Sequence, residues 1–183
     1  RQMCIRDRAN TGIPGIAAIR EARRALDDVG QTGKVTLIYA GGVRDGADMA
    51  KALALGADLA YIGTSFIATN ESEADDNYKK MLVESAAKDI VYTNYFSGVH
   101  GNYLSPSVER AGMDPANLPE ADKTKMNFNS GGNASAKVWK DIYGSGQGIN
   151  AIKETTSVSD LVNKISTEFK QAQEEFTKKS GSY

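Results

Sequence analysis

The sequence predicts an α/β fold built on a parallel sheet. Two short, nearly continuous apolar runs, residues 35–40 and 59–62, have the composition of strands that are buried on both faces. An Ala- and Leu-rich helical stretch at 47–55 connects them, and each run ends in a glycine-containing loop. A strand–helix–strand unit with so short a crossover places its two strands side by side and parallel.

The composition narrows the class of protein. The 183 residues carry 22 Lys and Arg against 23 Asp and Glu, so nothing in the charge balance points to nucleic acid. The hydrophobic fraction of 40% is that of a globular protein. No apolar run approaches the roughly 20 residues that span a bilayer, so we expect no membrane partner. The single cysteine, Cys4, excludes an internal disulfide, favours a cytoplasmic location and receives no nucleophilic role.

The spacing of apolar residues predicts further helices over residues 16–29, 73–88 and 135–143. Another helix begins near Ser157, whose side chain is expected to cap it together with Asp160. We expect the arginines of the first helix to form its solvated face: Arg20, Arg23 and Arg24.

The connecting helix has signals at both ends. Asp45 is expected as its N-cap, with Asp48 three residues further on, and Gly56 stands where a C′ glycine belongs. Beyond it, residues 90–93 suit a short extended piece. Residues 94–134 show little periodicity, which is typical of a long functional or covering loop.

We divide the chain into three parts. Residues 1–8 have neither strand nor helix periodicity, and we expect a non-native or disordered start. Residues 9–176 form part of one domain. Residues 177–183 are polar, and we expect a frayed tail.

The two glycine loops have the chemistry of a phosphate site. Gly41 and Gly42 follow the first strand, and Gly63 and Thr64 follow the second. Glycines let backbone N–H groups approach a phosphate, a helix N-terminus adds a favourable dipole, and the Thr64 hydroxyl is a further donor. Consecutive loops of this kind match the phosphate site of (β/α)₈ barrels. By spacing alone, tight turns and helix caps explain these glycines equally well. The G-x-G-x-x-G pattern is absent, so a Rossmann domain is less favoured.

Several separated motifs resemble the nitronate monooxygenase family. They are AGGVRDG at 40–46, ALALGA at 52–57, YIGTSFIATNES at 61–72, SGVHGNYL at 97–104 and WKDIYGSGQG at 139–148. The similarity runs from about residue 9 to 176, in the family's order and spacing.

The resemblance implies the C-terminal part of a (β/α)₈ TIM barrel, with a long irregular loop and C-terminal helices, that binds FMN without a covalent link. The FMN phosphate would lie on Gly41, Gly42, Gly63 and Thr64. Tyr61 and Ile62 would line the approach. The activity implied is oxidation of an alkyl nitronate by oxygen to a carbonyl compound and nitrite. No metal site is implied, and a homo-oligomer is an open alternative.

Two departures from the family matter. Ser65 stands where the family often has Arg. The family's catalytic His lies in a Gly-His pair upstream of the first helix, and residues 1–14 contain no such pair. We therefore expect the catalytic His to lie upstream of this chain, and we assign no catalytic residue within it. A full barrel needs roughly 250 residues, so we expect the 183 residues alone to be poorly stable, inactive and weak in FMN binding.

Other residues receive weaker interpretations. His100, the single histidine, matches a Pro in many relatives and is interpreted as a loop residue. Gln147 is either a cover of the site or the tip of a turn, and Trp139 is interpreted as a packing residue. The aromatic residues near the start of the long loop form either an ordinary cluster or a cover of the flavin cleft: Tyr92, Tyr95 and Phe96.

Two other functions remain open. One is the related FMN-dependent enoyl-acyl-carrier-protein reductase, which shares the phosphate loops; the segments at 98–104 and 144–148 favour the nitronate enzyme. The other is a barrel that binds a phosphorylated metabolite without catalysis.

Overall fold

A three-stranded parallel sheet forms the centre of the protein. The structure, a computed structural model, describes residues 2–6, 15–120 and 138–181. Strands β1 (Gln2–Arg6), β2 (Thr36–Ala40) and β3 (Leu59–Tyr61) lie side by side in that order. Helix α1 (Gly15–Asp28) joins the first pair and α2 (Gly46–Ala54) joins the second. The predicted strand–helix–strand unit is confirmed, with Ile38 opposite Leu59 in parallel register.

The start of the chain differs from the disordered segment that we expected for residues 1–8. Gln2–Arg6 form β1, which pairs in parallel with β2, Met3 lying opposite Leu37. β2 is the central strand, and with β1 and β3 on its two sides its backbone N–H and C=O groups are paired along both edges. This backbone pairing needs no side-chain periodicity in β1. That the first eight residues are non-native sequence stays a hypothesis.

Helices cover one face of the sheet, and the main apolar core lies beneath them. α1 and α2 both contribute to this face, and together with strand and loop residues they form one buried cluster: Ile19, Leu37, Tyr39, Val43, Ala52 and Ala57. On β3 the residues of the opposite face stay accessible, with Leu59 52% and Tyr61 66% exposed. At β3, the side of the sheet turned away from the helices is therefore accessible.

The ends of α2 form as predicted. The Asp45 carboxylate accepts a hydrogen bond from the Asp48 N–H at 2.8 Å and caps the helix. Gly56 has a φ of 111°, a left-handed conformation that glycine adopts at little cost. The helix thus turns directly into β3.

The last helix of the described chain, α7 (Val158–Ser180), packs across α2. Ser157 caps it by accepting a hydrogen bond from the Asp160 N–H at 3.0 Å, as predicted. A Cβ added to Gly46 would lie 2.1 Å from the Ile165 carbonyl oxygen, so the two helix backbones meet at this glycine. The helix continues through Ser180, where a frayed tail from 177 was expected.

A second, smaller unit contains an antiparallel pair, β4 (Ile90–Thr93) and β5 (Gly101–Leu104). β4 confirms the predicted extended piece, whereas β5 lies within the segment expected to be irregular. Short helices surround the pair: α3 (Thr64–Ile67), α4 (Asp76–Glu84), α5 (Ser105–Arg110) and α6 (Val138–Asp141). Within the described ranges, no helix is both long and apolar enough to cross a membrane.

Arg23 is not part of the solvated face of α1, and that expectation was wrong for this residue. Its side chain is only 12% exposed, and its Nη2 donates to the Asp58 carboxylate at 2.8 Å. Its Nε donates to the Gly56 carbonyl oxygen, also at 2.8 Å. The Leu37 N–H and then the Arg23 guanidinium hold the pKa of Asp58 below its ordinary value, although the small burial of the carboxyl opposes this. Arg23 therefore fastens α1 to the turn before β3, while Arg20 and Arg24 are exposed.

Candidate functional site

The two glycine loops meet at one edge of the parallel sheet. Ala40 at the end of β2 lies opposite Tyr61 at the end of β3, so the loops that follow these strands are neighbours. Gly41 and Gly42 have φ values of 101° and 70°, which residues with a side chain rarely adopt. The structure thus brings together the four residues that the sequence assigned to a phosphate.

The donor groups of these loops fit a phosphate. Among the described residues, the backbone N–H groups of Gly42, Gly63 and Thr64 have no acceptor in turns, loops or side chains. A Cβ added to Gly63 would meet only the Tyr61 ring, at 3.7 Å, so this glycine borders open space. Several N–H donors beside a space that lacks side-chain bulk suit an anionic oxygen group.

The N-terminus of α2 makes a different contribution from the one expected of a helix N-terminus. Its Gly46 N–H donates to the Glu168 carboxylate of α7 at 3.1 Å, and its Asp48 N–H donates to Asp45. Two carboxylates therefore already occupy the positive end of this helix. The N–H donors available to a phosphate are those of the loops.

A third glycine-rich stretch, residues 144–148, lies on both loops; we call it the glycine segment. The Gly146 N–H donates to Thr64 Oγ1 at 2.9 Å. A Cβ added to Gly148 would lie 2.8 Å from the Val43 carbonyl oxygen, so that glycine touches the loop after β2. The sequence marked this segment as a motif but did not show what it contacts.

A cavity of about 260 Å³ adjoins the loop after β2, and Gly42, Tyr39 and Gln147 are among its lining residues. Gln147 is exposed and stands beside the candidate phosphate loop. Most of the other lining residues belong to α1 and α2, so the cavity lies on the helical side of the sheet, and the covering role of Gln147 stays a prediction.

Asp48 is the most strongly held carboxylate beside this cavity. Arg44 Nε lies 2.6 Å from Asp48 Oδ2, and Lys51 Nζ lies 2.7 Å from Oδ1. Burial alone would raise the pKa of Asp48, but the hydrogen bonds from Arg44 and Lys51 outweigh it and lower the pKa to about 2. Asp48 therefore offsets one of these two positive charges and holds both side chains to itself, and the backbone amides of the loops are the donors left without a partner among the described residues.

The two residues expected to line the approach point in different directions. Tyr61 lies at the accessible face of β3 and borders Gly63. Ile62 packs against the core beneath the helices. Ser65, where the family often has Arg, is buried.

The remaining candidates lie in the second unit. His100 is exposed in the connection between β4 and β5 and stacks on Tyr92, with ring centroids 4.9 Å apart. Phe96 is buried and meets Tyr95 and Tyr103 edge-on, which is an ordinary packing cluster. The side chain of Trp139 lies outside the described residues.

The glycine segment is itself held by stacked aromatic rings. Tyr78 of α4 stacks on Tyr143, with ring centroids 4.2 Å apart, and the Tyr78 hydroxyl donates to the Gly144 carbonyl oxygen. The Arg110 guanidinium lies 4.5 Å from the centroid of the Tyr143 ring. Burial, with a smaller contribution from Tyr143, raises the pKa of Tyr78 to about 12, which extends the pH range over which this phenol is a donor. Sequence reasoning gave neither tyrosine a role at the site, because their contacts join distant parts of the chain.

Parallel βα units with two glycine loops at one sheet edge define an α/β protein with a candidate anion site. The nitronate monooxygenase family model matches residues 9–168, and the chain belongs to this family.

Individual relatives agree with this assignment. The chain is 34% identical over 148 residues to a nitronate monooxygenase of Paraburkholderia phytofirmans, an alignment that covers 78% of this chain and 40% of the relative. The nitroalkane oxidase structure from Streptomyces ansochromogenes is 25% identical, with a TM-score of 0.66, covering 89% of this chain and 45% of that one.

A further likeness shows the fold alone. The structure of FabK from Thermotoga maritima is 21% identical with a TM-score of 0.68, covering 96% of this chain and 56% of that one. The chain thus spans about half the length, or less, of the relatives it matches.

Proposed function

We propose that these residues are the C-terminal part of an FMN-dependent (β/α)₈ barrel that oxidises alkyl nitronates with oxygen. The observation that carries the proposal is the convergence of the Gly41–Gly42 and Gly63–Thr64 loops at one edge of a parallel sheet in a nitronate monooxygenase family member. In (β/α)₈ barrels, the loops after the last two strands form a phosphate site at this end of the sheet.

The loop residues have separate tasks in this proposal. Gly41 and Gly42 bring backbone close to the FMN phosphate, and the N–H groups of Gly63 and Thr64 point to it from the neighbouring strand. The Thr64 hydroxyl adds a donor. Tyr61, at the accessible face of β3, borders the flavin. Ile62 supports the loop from the core side, since it packs beneath the helices.

FMN held by these loops would supply the electron transfer between the nitronate and oxygen, with a carbonyl compound and nitrite as products. The residues of this chain bind and orient the cofactor. The histidine that handles the proton is expected in the preceding half of the barrel, and we assign His100 no part in the reaction; it is exposed and stacks on Tyr92 in the second unit.

The test is an assay of the complete gene product that contains this chain. With an alkyl nitronate and oxygen, we expect formation of nitrite that depends on bound FMN. Oxidation of NADH that requires an enoyl thioester, without nitrite formation from a nitronate, would instead support the reductase alternative. A purified protein without flavin absorbance, even after incubation with FMN, would support a phosphometabolite-binding barrel.

A further inference from the structure

The hydrogen bonding of Thr64 restricts what its hydroxyl can do. Oγ1 accepts the Gly146 N–H at 2.9 Å, and no acceptor for the Thr64 hydroxyl proton is found among the described residues. A hydroxyl has one proton and two lone pairs. With one lone pair directed at Gly146, the proton remains available to a group in the open space beside Gly63.

Gly146, the hydrogen-bond partner of Thr64, belongs to a segment that is anchored to β5 and α5. The Ser145 N–H donates to the Asn102 carbonyl oxygen at 3.2 Å, next to the β-bridge between Tyr103 and Gly144. Ahead of it, the Tyr143 N–H donates at 3.0 Å to the buried Ser107 hydroxyl. The glycine segment therefore runs from an anchored end on β5 to its contact with Thr64.

Tyr78 adds a hydrogen bond at the point where the segment leaves this anchor. Its hydroxyl donates to the Gly144 carbonyl oxygen, two residues before Gly146. The stacked ring of Tyr143, whose own hydroxyl lies 3.3 Å from Asp75 Oδ1, limits movement of the Tyr78 ring. A displacement of Gly144 would be passed along a short glycine-rich stretch to the Gly146 N–H.

We propose that Tyr78 and Gly146 are positioning residues of the cofactor site, which orient the Thr64 hydroxyl so that it donates to the FMN phosphate. This inference rests on the proposed function, since it assigns the ligand group that Thr64 meets. It gives residues of the second unit that lie outside the two loops a role in selecting a phosphorylated cofactor.

The test compares FMN with riboflavin, which lacks the phosphate, in the complete gene product. Dissociation constants for both flavins are measured by fluorescence quenching in the wild type and in variants. Thr64→Val removes the hydroxyl and Thr64→Ser keeps it. Tyr78→Phe removes only the bond to Gly144. Tyr95→Phe is the matched control, because it removes a tyrosine hydroxyl within an aromatic packing cluster.

Gly146→Ala supplies an independent perturbation. The φ of −80° and ψ of 162° at Gly146 are accessible to alanine, so the backbone is not strained. The added Cβ would lie 3.1 Å from Thr64 Oγ1, and this contact is close enough to displace the hydroxyl. This variant tests the orientation of Thr64 even if Tyr78→Phe lowers the yield of folded protein.

The expected readout is the ratio of riboflavin to FMN dissociation constants. Thr64→Val should lower this ratio roughly 10- to 100-fold, the range for a hydrogen bond to a charged group, and Thr64→Ser should restore it. Tyr78→Phe and Gly146→Ala should each lower it about three- to tenfold. In the Thr64→Val background, Tyr78→Phe should have no further effect, because the two act through one hydroxyl.

The possible outcomes distinguish a failure of the positioning role from a failure of the proposed FMN phosphate site. If the wild type binds both flavins equally, the phosphate site itself is wrong. If the wild type prefers FMN but Tyr78→Phe behaves like Tyr95→Phe, the positioning role is overturned. An equal loss of affinity for both flavins in Tyr78→Phe and Gly146→Ala also overturns it, since that is the result of general loosening.

Discussion

The two faces of the parallel sheet differ in burial where β2 and β3 are compared. Beneath the helices Leu37 is 0% exposed, and α1 and α2 close over it. On the other face, Leu59 and Tyr61 of β3 are 52% and 66% exposed. Parallel sheets in proteins are almost always covered on both faces. The difference shows that α1 and α2 cover the side of the sheet that carries Leu37, whereas the side that carries Leu59 and Tyr61 is accessible at β3.

The largest expected change in the free energy of unfolding comes from a pair of substitutions, one on each face of the sheet. In the 183-residue chain, Leu37→Ala should lower the free energy of unfolding by about 3 kcal/mol, because it opens a cavity in the core. Leu59→Ala should cost less than about 1 kcal/mol, since its side chain is accessible. Urea denaturation measures both.

Leu37→Ala and Leu59→Ala should also be compared in the complete gene product. There, Leu59→Ala should become about as costly as Leu37→Ala, at roughly 2 kcal/mol or more, because a closed barrel would bury β3 on its inner side. An unchanged, small cost for Leu59→Ala would contradict the assignment of this face to a barrel interior.

The next effect concerns the close contact between α2 and α7. Gly46→Ala places a Cβ 2.1 Å from a backbone oxygen of α7, and flexible side chains cannot relieve that clash. We expect a loss of about 2 kcal/mol in the free energy of unfolding. Ala47→Ser, at the next and exposed position of α2, is the control and should change stability little. Equal stability of the two variants would mean that the helices pack differently.

Asp48 should make stability depend on pH. Its folded pKa of about 2 lies below the ordinary value of 3.8, so its contribution is present above about pH 4 and is lost as the pH falls towards 2. The shift corresponds to about 2 kcal/mol. Urea denaturation between about pH 6 and pH 3 should show this loss in the wild type and a smaller one in Asp48→Asn. Asp28→Asn, at an exposed position, should keep the wild-type dependence.

The smallest effect distinguishes two arginines on one helix. Arg23→Gln should lower the free energy of unfolding by about 1 kcal/mol, because it removes the bonds to Gly56 and Asp58. Arg20→Gln, which changes an exposed arginine of the same helix, should be nearly neutral. Thermal unfolding of the two variants side by side tests this difference.

The fold could be predicted where local patterns and tertiary structure agree. The apolar runs of β2 and β3, the Asp45 cap and Gly56 all carry signals within a few residues. β5 has no such signal, because Gly101 and Asn102 are weak strand formers and the strand exists through its pairing with β4. β1 likewise depends on an existing neighbour, β2.

The same reasoning applies to the site. Glycine spacing located the Gly41–Gly42 and Gly63–Thr64 loops, because the ends of adjacent parallel strands must lie together. The bond from Gly146 to Thr64 spans 82 residues, and that from Tyr78 to Gly144 spans 66. Contacts over such separations leave no periodicity in the sequence. The interpretation of Arg23 as a solvated residue was wrong for the same reason. Its charge suggested exposure to solvent, but its partner, Asp58, lies 35 residues away in the sequence.

The most direct test of the account compares FMN binding by the 183-residue chain and by the complete gene product. Equilibrium dialysis followed by flavin fluorescence gives the bound fraction for each. We predict that the complete protein retains FMN in preference to riboflavin and that the 183 residues alone, in which Leu59 and Tyr61 of β3 are accessible, bind it weakly. Tight FMN binding by the 183-residue chain, or none by the complete protein, would contradict it.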